Sequence, residues 1–221
     1  MTRLQLARLL DHSVLKPEAT EAQIREGAEI VRAWRIGFYC VQPCRVKLAV
    51  AALVGSDART VSVVGFPHGC DLPETKALAA ARAVADGARE IDMVMDFGVL
   101  KSGDEMSVAA DVGAVVRAVP GIPVKVILET TVLTDEEKRR ACRIACDAGA
   151  SFVKTSTGFH PSGGATAADV RLLRECVGAR MGVKASGGIR TLAEALAMLE
   201  AGANRLGTSA SAAILGAIEG G

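Results

Sequence analysis

Ala148-Gly149-Ala150-Ser151-Phe152-Val153-Lys154-Thr155 is the stretch on which the fold turns. A helical run rich in alanine and charge (135–148) stops at glycine, and a short apolar run (152–155) begins three residues later. Glycine adopts the left-handed conformation that caps a helix C-terminus, so the phrase reads as helix end, tight turn and strand. The same phrase recurs as Asp86-Gly87-Ala88 and Ala201-Gly202-Ala203, each ahead of another short apolar run.

Working outward, the pattern predicts strands over 9–13, 37–41, 60–65, 90–95, 124–129, 152–155, 182–185 and 205–208. Helices are predicted between them over 21–34, 73–86, 104–119, 135–148, 167–176 and 192–200. Capping residues mark helix starts at Thr20, Asp71, Thr134 (with Glu137) and Thr191 (with Glu194). Eight strands alternating with helices predict an α/β fold: a single-domain (β/α)8 TIM barrel over residues 1–221. A doubly wound dinucleotide fold is disfavoured, because no Gly-x-Gly-x-x-Gly follows the first strand. No linker-like or low-complexity tract divides the chain.

Composition narrows the function classes. Twenty-six basic residues against 25 acidic ones leave a scattered net charge of +1, which predicts no nucleic-acid partner and no attraction to an acidic membrane. No uncharged apolar stretch is long enough for a membrane span, and the N-terminus lacks signal-peptide features, so cytoplasmic residence is expected. The six cysteines and three dispersed histidines lack metal-ligand spacing, so reduced, packing thiols and no bound metal are expected.

Charged residues fall where strands should be apolar. Of only 8 lysines, Lys125, Lys154 and Lys184 lie in or beside strand runs, joined by Asp11, Asp92 and Glu129. Parallel strands covered on both faces should be nearly continuous apolar runs, and an unpaired buried charge is costly. An internal salt-bridge network is one explanation. The other is chemical: Lys154 precedes Thr155-Ser156-Thr157-Gly158 and Lys184 precedes Ala185-Ser186-Gly187-Gly188, each at the strand end where barrel enzymes keep their catalytic groups. A lysine's usual pKa is about 10.4. A neighbouring ammonium and a dry setting disfavour the charged form, and the neutral amine can attack a carbonyl to form a Schiff base. A carboxylate such as Asp92 is suited to moving protons around that adduct. Gly187-Gly188 after the seventh strand and Gly207-Thr208-Ser209 after the eighth fit a phosphate site, with Gly163-Gly164 a weaker candidate; such glycines also serve conformation alone.

Six segments carry a resemblance that spans nearly the whole chain. They are Leu10-Asp11-His12-Ser13-Val14-Leu15-Lys16-Pro17, Val64-Gly65-Phe66-Pro67, Glu90-Ile91-Asp92-Met93-Val94 and Lys125-Val126-Ile127-Leu128-Glu129-Thr130. The two most specific are Phe152-Val153-Lys154-Thr155-Ser156-Thr157-Gly158 and Val183-Lys184-Ala185-Ser186-Gly187-Gly188-Ile189-Arg190. In this order they resemble the deoxyribose-phosphate aldolase family. The resemblance implies reversible cleavage of 2-deoxy-D-ribose 5-phosphate to acetaldehyde and D-glyceraldehyde 3-phosphate in deoxyribonucleotide catabolism, with neither metal nor organic cofactor.

It also implies roles. Lys154 forms the Schiff base, Lys184 lowers its pKa, and Asp92 relays protons. Gly187, Gly188 and Ser209 hold the phosphate with Thr157 beside them, while Asp11 meets the substrate hydroxyls. Cys40 lies near the pocket, with Lys125 and Glu129 behind the substrate contacts. The expected partners are a sugar phosphate and an aldehyde, and the expected assembly is a homo-oligomer, dimer or tetramer.

Departures from the family pattern are Gln42 where Asn is usual, Ser209-Ala210-Ser211 after the eighth strand, and His68 after Phe66-Pro67, read as a solvent-facing loop residue. The sequence ends Gly220-Gly221, so no tail tyrosine is expected to shuttle protons. Three alternatives stay open on the residues alone: a Schiff-base aldolase for another aldehyde, an isomerase on a phosphate-binding barrel, and a non-catalytic sugar-phosphate binder.

Overall fold

The three repeated glycines end their helices as expected, with φ of 111° at Gly87, 84° at Gly149 and 110° at Gly202. Each lets the chain leave a helix, turn within two or three residues, and enter the next strand. The computed structural model of the chain describes residues 1–218. Within them lie eight strands, β1 (Leu10–Val14), β2 (Phe38–Val41), β3 (Arg59–Val64), β4 (Glu90–Val94), β5 (Val124–Ile127), β6 (Phe152–Lys154), β7 (Gly182–Ser186) and β8 (Arg205–Thr208). All pair in parallel in sequence order and β8 returns to β1, closing the barrel and leaving no sheet edge.

The helices are α1 (Arg3–Leu9), α2 (Glu21–Ala33), α3 (Val46–Ala52), α4 (Pro73–Ala85), α5 (Phe97–Lys101), α6 (Glu105–Ala118), α7 (Asp135–Asp147), α8 (Ala167–Val177), α9 (Leu192–Glu200) and α10 (Ser211–Gly216). Capping boxes close the N-termini of α2, α7 and α9 at Thr20, Thr134 and Thr191. Asp71 does not cap α4, contrary to expectation. Leu72 takes the cap position with no side-chain bond, because Pro73 in the first turn already removes a donor that would need one. The short α1, α3, α5 and α10 have no counterpart among the predicted ranges.

Period-two alternation sorts the strand residues. Ile91 and Met93 of β4 face the helices and join the large core with Val126, Val153, Val183 and Leu206, while Glu90 and Asp92 make their ion pairs across the barrel axis. A smaller apolar cluster of Leu15, Cys40, Val61 and Val63, backed by Phe38 and Phe66, fills the β2–β3 side of the interior. Predicted β5 is too long: Glu129 has φ 54° and ψ 62°, which turns the chain out of the sheet after Ile127. Among the described residues no helix is long and apolar enough to cross a membrane. The Gly220-Gly221 ending lies outside the described residues.

Candidate active site

Lys154 is the last residue of β6, and sheet register sets it opposite Lys184 of β7. The same geometry on the other side pairs Asp92 of β4 with Lys125 of β5. Across the barrel these four side chains meet at one carboxylate. Asp92 Oδ2 accepts from Lys154 Nζ at 2.8 Å and from Lys184 Nζ at 2.7 Å, while Oδ1 accepts from Lys125 Nζ at 2.9 Å. Lys184 also donates to Asp11 Oδ2. Below this layer, Lys125 Nζ lies 2.5 Å from Glu90, which also bonds Arg205 at 3.1 Å, and the Arg205 guanidinium lies 3.3 Å from the centre of the Phe38 ring. The lysines and acids of this chain of contacts are all at least 97% buried.

Burial makes the charges depend on each other. Burial alone would raise the Asp92 carboxyl, but its neighbours Lys125, Lys154 and Lys184 outweigh it and hold Asp92 well below the usual carboxylate range. Burial likewise opposes the charge on Lys184, yet Asp11 and Asp92 outweigh it and push that ammonium above the usual lysine value. Lys184 therefore stands as a cation beside Lys154 in the resting site. Cys40 is pushed the other way: burial, then Asp11 and Asp92, raise its thiol, so it stays protonated. Asp11, Cys40 and Asp92 bring potential metal-ligating atoms within 4.8 Å of one another, but the Lys184 ammonium bonds both carboxylates there.

A cavity of about 590 Å³ opens above this layer at the strand C-termini. Lys154, Lys184, Asp11 and Cys40 form its floor, and Thr157, Gly187, Gly188 and Ser209 line it where a phosphate site was expected. Asp11 Oδ1 is buried with no hydrogen-bond partner among the described residues, on the wall where hydroxyl contacts were expected. Lys125 and Glu129 do not line the cavity. Lys125 orients Asp92 from below, and Glu129 accepts from the Thr157 N–H (3.2 Å) and hydroxyl (2.5 Å), fixing the loop after β6. Thr130 is anchored in turn, donating to Asp169, which Lys138 also bonds at 2.6 Å.

Gly163-Gly164, the weaker phosphate candidate, takes no part in the cavity lining. A Cβ on Gly164 would sit 2.2 Å from the Gly187 carbonyl oxygen, so Gly164 serves close backbone packing, while Gly163 supplies a φ of 118°. At Gly207 a Cβ would meet Ser186 Cβ at 2.9 Å and Lys184 Cε at 3.1 Å, and its absence leaves room for both side chains. His12, part of the Leu10–Pro17 segment, carries no role assigned from the sequence. It lines the cavity, lies 3.0 Å from the Ser211 hydroxyl, and is lowered to about 4 by burial against the opposing pull of Asp11. Only its place one residue after Asp11 hinted at this. His68 is exposed, as expected of a solvent-facing loop residue.

A closed parallel barrel with two lysines converging at its mouth belongs to a class of enzymes that work on carbonyl compounds, and comparison with known proteins narrows the class. The family model described as DeoC/LacD family aldolase matches residues 7–220. Deoxyribose-phosphate aldolase of Mycobacterium avium is 54% identical over 220 residues, covering 97% of each chain. Deoxyribose-phosphate aldolase 1 of Bacillus licheniformis is 50% identical over 212 residues, covering 96% of this chain and 95% of its own. Among solved structures, the deoxyribose phosphate aldolase from Aeropyrum pernix superposes with a TM-score of 0.89 at 30% identity, covering 97% of this chain and 91% of its own. The chain belongs to the DeoC/LacD aldolase family.

Proposed function

We propose that this protein is a deoxyribose-phosphate aldolase, cleaving 2-deoxy-D-ribose 5-phosphate to acetaldehyde and D-glyceraldehyde 3-phosphate through a Schiff base on Lys154. The observation that carries the reading is the pair of lysines on a single oxygen of Asp92, at the floor of the cavity. The relatives' shared name supplies the substrate.

The neutral Lys154 amine adds to the C1 aldehyde of the open-chain sugar, giving a carbinolamine. Loss of water gives the protonated imine. Asp92 and Lys184, hydrogen-bonded to each other, hand protons to and from the leaving hydroxyl. Removal of the C3 hydroxyl proton then breaks the C2–C3 bond, and its electron pair moves into the imine, leaving an enamine on Lys154 and free glyceraldehyde 3-phosphate. Protonation of the enamine carbon and hydrolysis release acetaldehyde. Asp11 contacts the sugar hydroxyls; Gly187, Gly188, Ser209 and Thr157 hold the phosphate. The raised Lys184, a positive neighbour on the same Asp92 oxygen as Lys154, supports this division of labour.

No step in this scheme calls for a metal or an organic cofactor. The Aeropyrum pernix relative is described as tetrameric, which supports a homo-oligomer here. Among the described residues the six cysteines are free, which fits residence in the cytoplasm. The reading is tested by adding borohydride with acetaldehyde and mapping the adduct by mass spectrometry. An ethyl group on Lys154 is expected. Modification of another lysine, or none except with a ketose, would reject it in favour of a different aldehyde or a different nucleophile.

A further inference from the structure

The connected charges inside the barrel do not balance. Among the described residues the network holds three carboxylates, Asp11, Glu90 and Asp92, and four cations, Lys125, Lys154, Lys184 and Arg205. A buried network with one surplus positive charge relieves itself by losing one proton. Arginine cannot be the one to lose it in a protein, and Arg205 is further fixed between Glu90 and the face of Phe38.

The contacts single out which lysine yields. Lys184 bonds two carboxylates, Asp11 and Asp92. Lys125 also bonds two, Glu90 and Asp92, and lies 5.8 Å from the Phe152 ring centre. Lys154 has Asp92 alone, through an oxygen it shares with Lys184. We propose that Arg205, at the base of the barrel and outside the cavity, is a positioning residue that makes Lys154 a free amine: it is the fourth cation, and its charge is passed upward through Glu90, Lys125 and Asp92. Without Arg205, three acids would match three lysines and each lysine could keep its proton. The proposal deepens the Lys154 reading above and rests on it.

Every group facing Lys154 enters this balance. Within the barrel they are Asp11 on β1, Cys40 on β2, Glu90 and Asp92 on β4, Lys125 on β5, Lys184 on β7 and Arg205 on β8; β3 contributes Val61 and Val63, with Arg59 exposed to solvent at its start. At the cavity rim stand Lys16, Glu18, Glu26 and Arg190, all exposed, with His12 on the wall and Glu129 behind Thr157. The rim charges are screened by solvent, so the interior sets the sign.

The test is the acid limb of the kcat/KM pH profile for retro-aldol cleavage, compared with wild type. Arg205→Met should move the limb up by about one pH unit, a loss of about tenfold just below the wild-type limb. Glu90→Gln should move it down by a similar amount, because it removes a negative charge. Arg205→Lys should restore most of the wild-type position. Opposite shifts from two residues that bond each other are not produced by general loosening of the fold, which would move both the same way. Should Arg205→Met fail to fold, Glu90→Gln still decides by the direction of its shift. Limbs unmoved, or moved together, would overturn the proposal. Failure of borohydride and acetaldehyde to mark Lys154 in the wild-type protein would instead overturn the reading beneath it.

Discussion

Of the places in this molecule that bury lysine against aspartate, two invite comparison. Between α4 and α6, Lys76 Nζ lies 2.7 Å from Asp111, both nearly sealed from water, with the Asp96 N–H as a further donor to the same oxygen. That is one cation for one anion. Inside the barrel, Lys154 shares its acceptor oxygen with a second lysine, in a network that carries more bases than acids. The helix-layer pair matches its charges one to one, with Asp111 Oδ1 buried and without a partner among the described residues. In the barrel the lysine with the weakest claim on an acid sits at the floor of the cavity. Burial is common to both, so matching of charge is what separates a structural lysine from a reactive one.

The sharpest way to break this contrast is to exchange the residues' fates. Lys154→Leu should abolish the borohydride adduct and lower kcat by about 10⁴-fold or more, since no other amine is placed to form the imine. Its urea midpoint should stay near wild type, because Asp92 retains Lys125 and Lys184. Lys76→Met should do the reverse. It strands Asp111 in the helix layer and should cost about 3–5 kcal/mol in denaturant unfolding, with kcat per folded molecule unchanged. Loss of activity without loss of stability in Lys76→Met would erase the distinction.

His12 sharpens the comparison with a buried group that stays neutral. Its folded value of about 4 lies below the usual 6.5, so below pH 6.5 the unfolded chain binds a proton that the folded chain refuses. Its contribution to stability is therefore complete above pH 6.5 and is lost as pH falls toward 4, by about 3 kcal/mol in all. Urea unfolding at pH 7.5, 6 and 5 should show this slope in wild type and lack most of it in His12→Gln. An identical slope in both would assign the acid sensitivity elsewhere.

Much of this was legible in the sequence because its signals are local. Glycine-capped helix ends sit beside their strands, and Lys154 and Lys184 occupy equivalent places on adjacent strands, so register alone brings them together. Arg205 and Glu90 lie 115 residues apart and meet only because β4 and β8 face each other across the closed barrel. Periodicity gives the side of a strand, not the residue it meets opposite. Glu129 was read into β5 because its neighbours are apolar; its left-handed backbone has no signature in a residue that is not glycine. The failed cap at Asp71 shows the converse, a good local signal overridden by the proline two residues on.

Gly158, Gly164 and Gly187 meet backbone to backbone, so the loops after β6 and β7 fit together like a tenon in its mortise. One loop follows directly from the amine-bearing strand and the other carries the glycines that line the cavity wall. A lineage adapting this barrel to a longer or shorter sugar therefore has little freedom to drift at those three glycines. Its room for novelty lies at exposed rim positions such as Ser209 and Arg190, where a side chain can change without parting the joint.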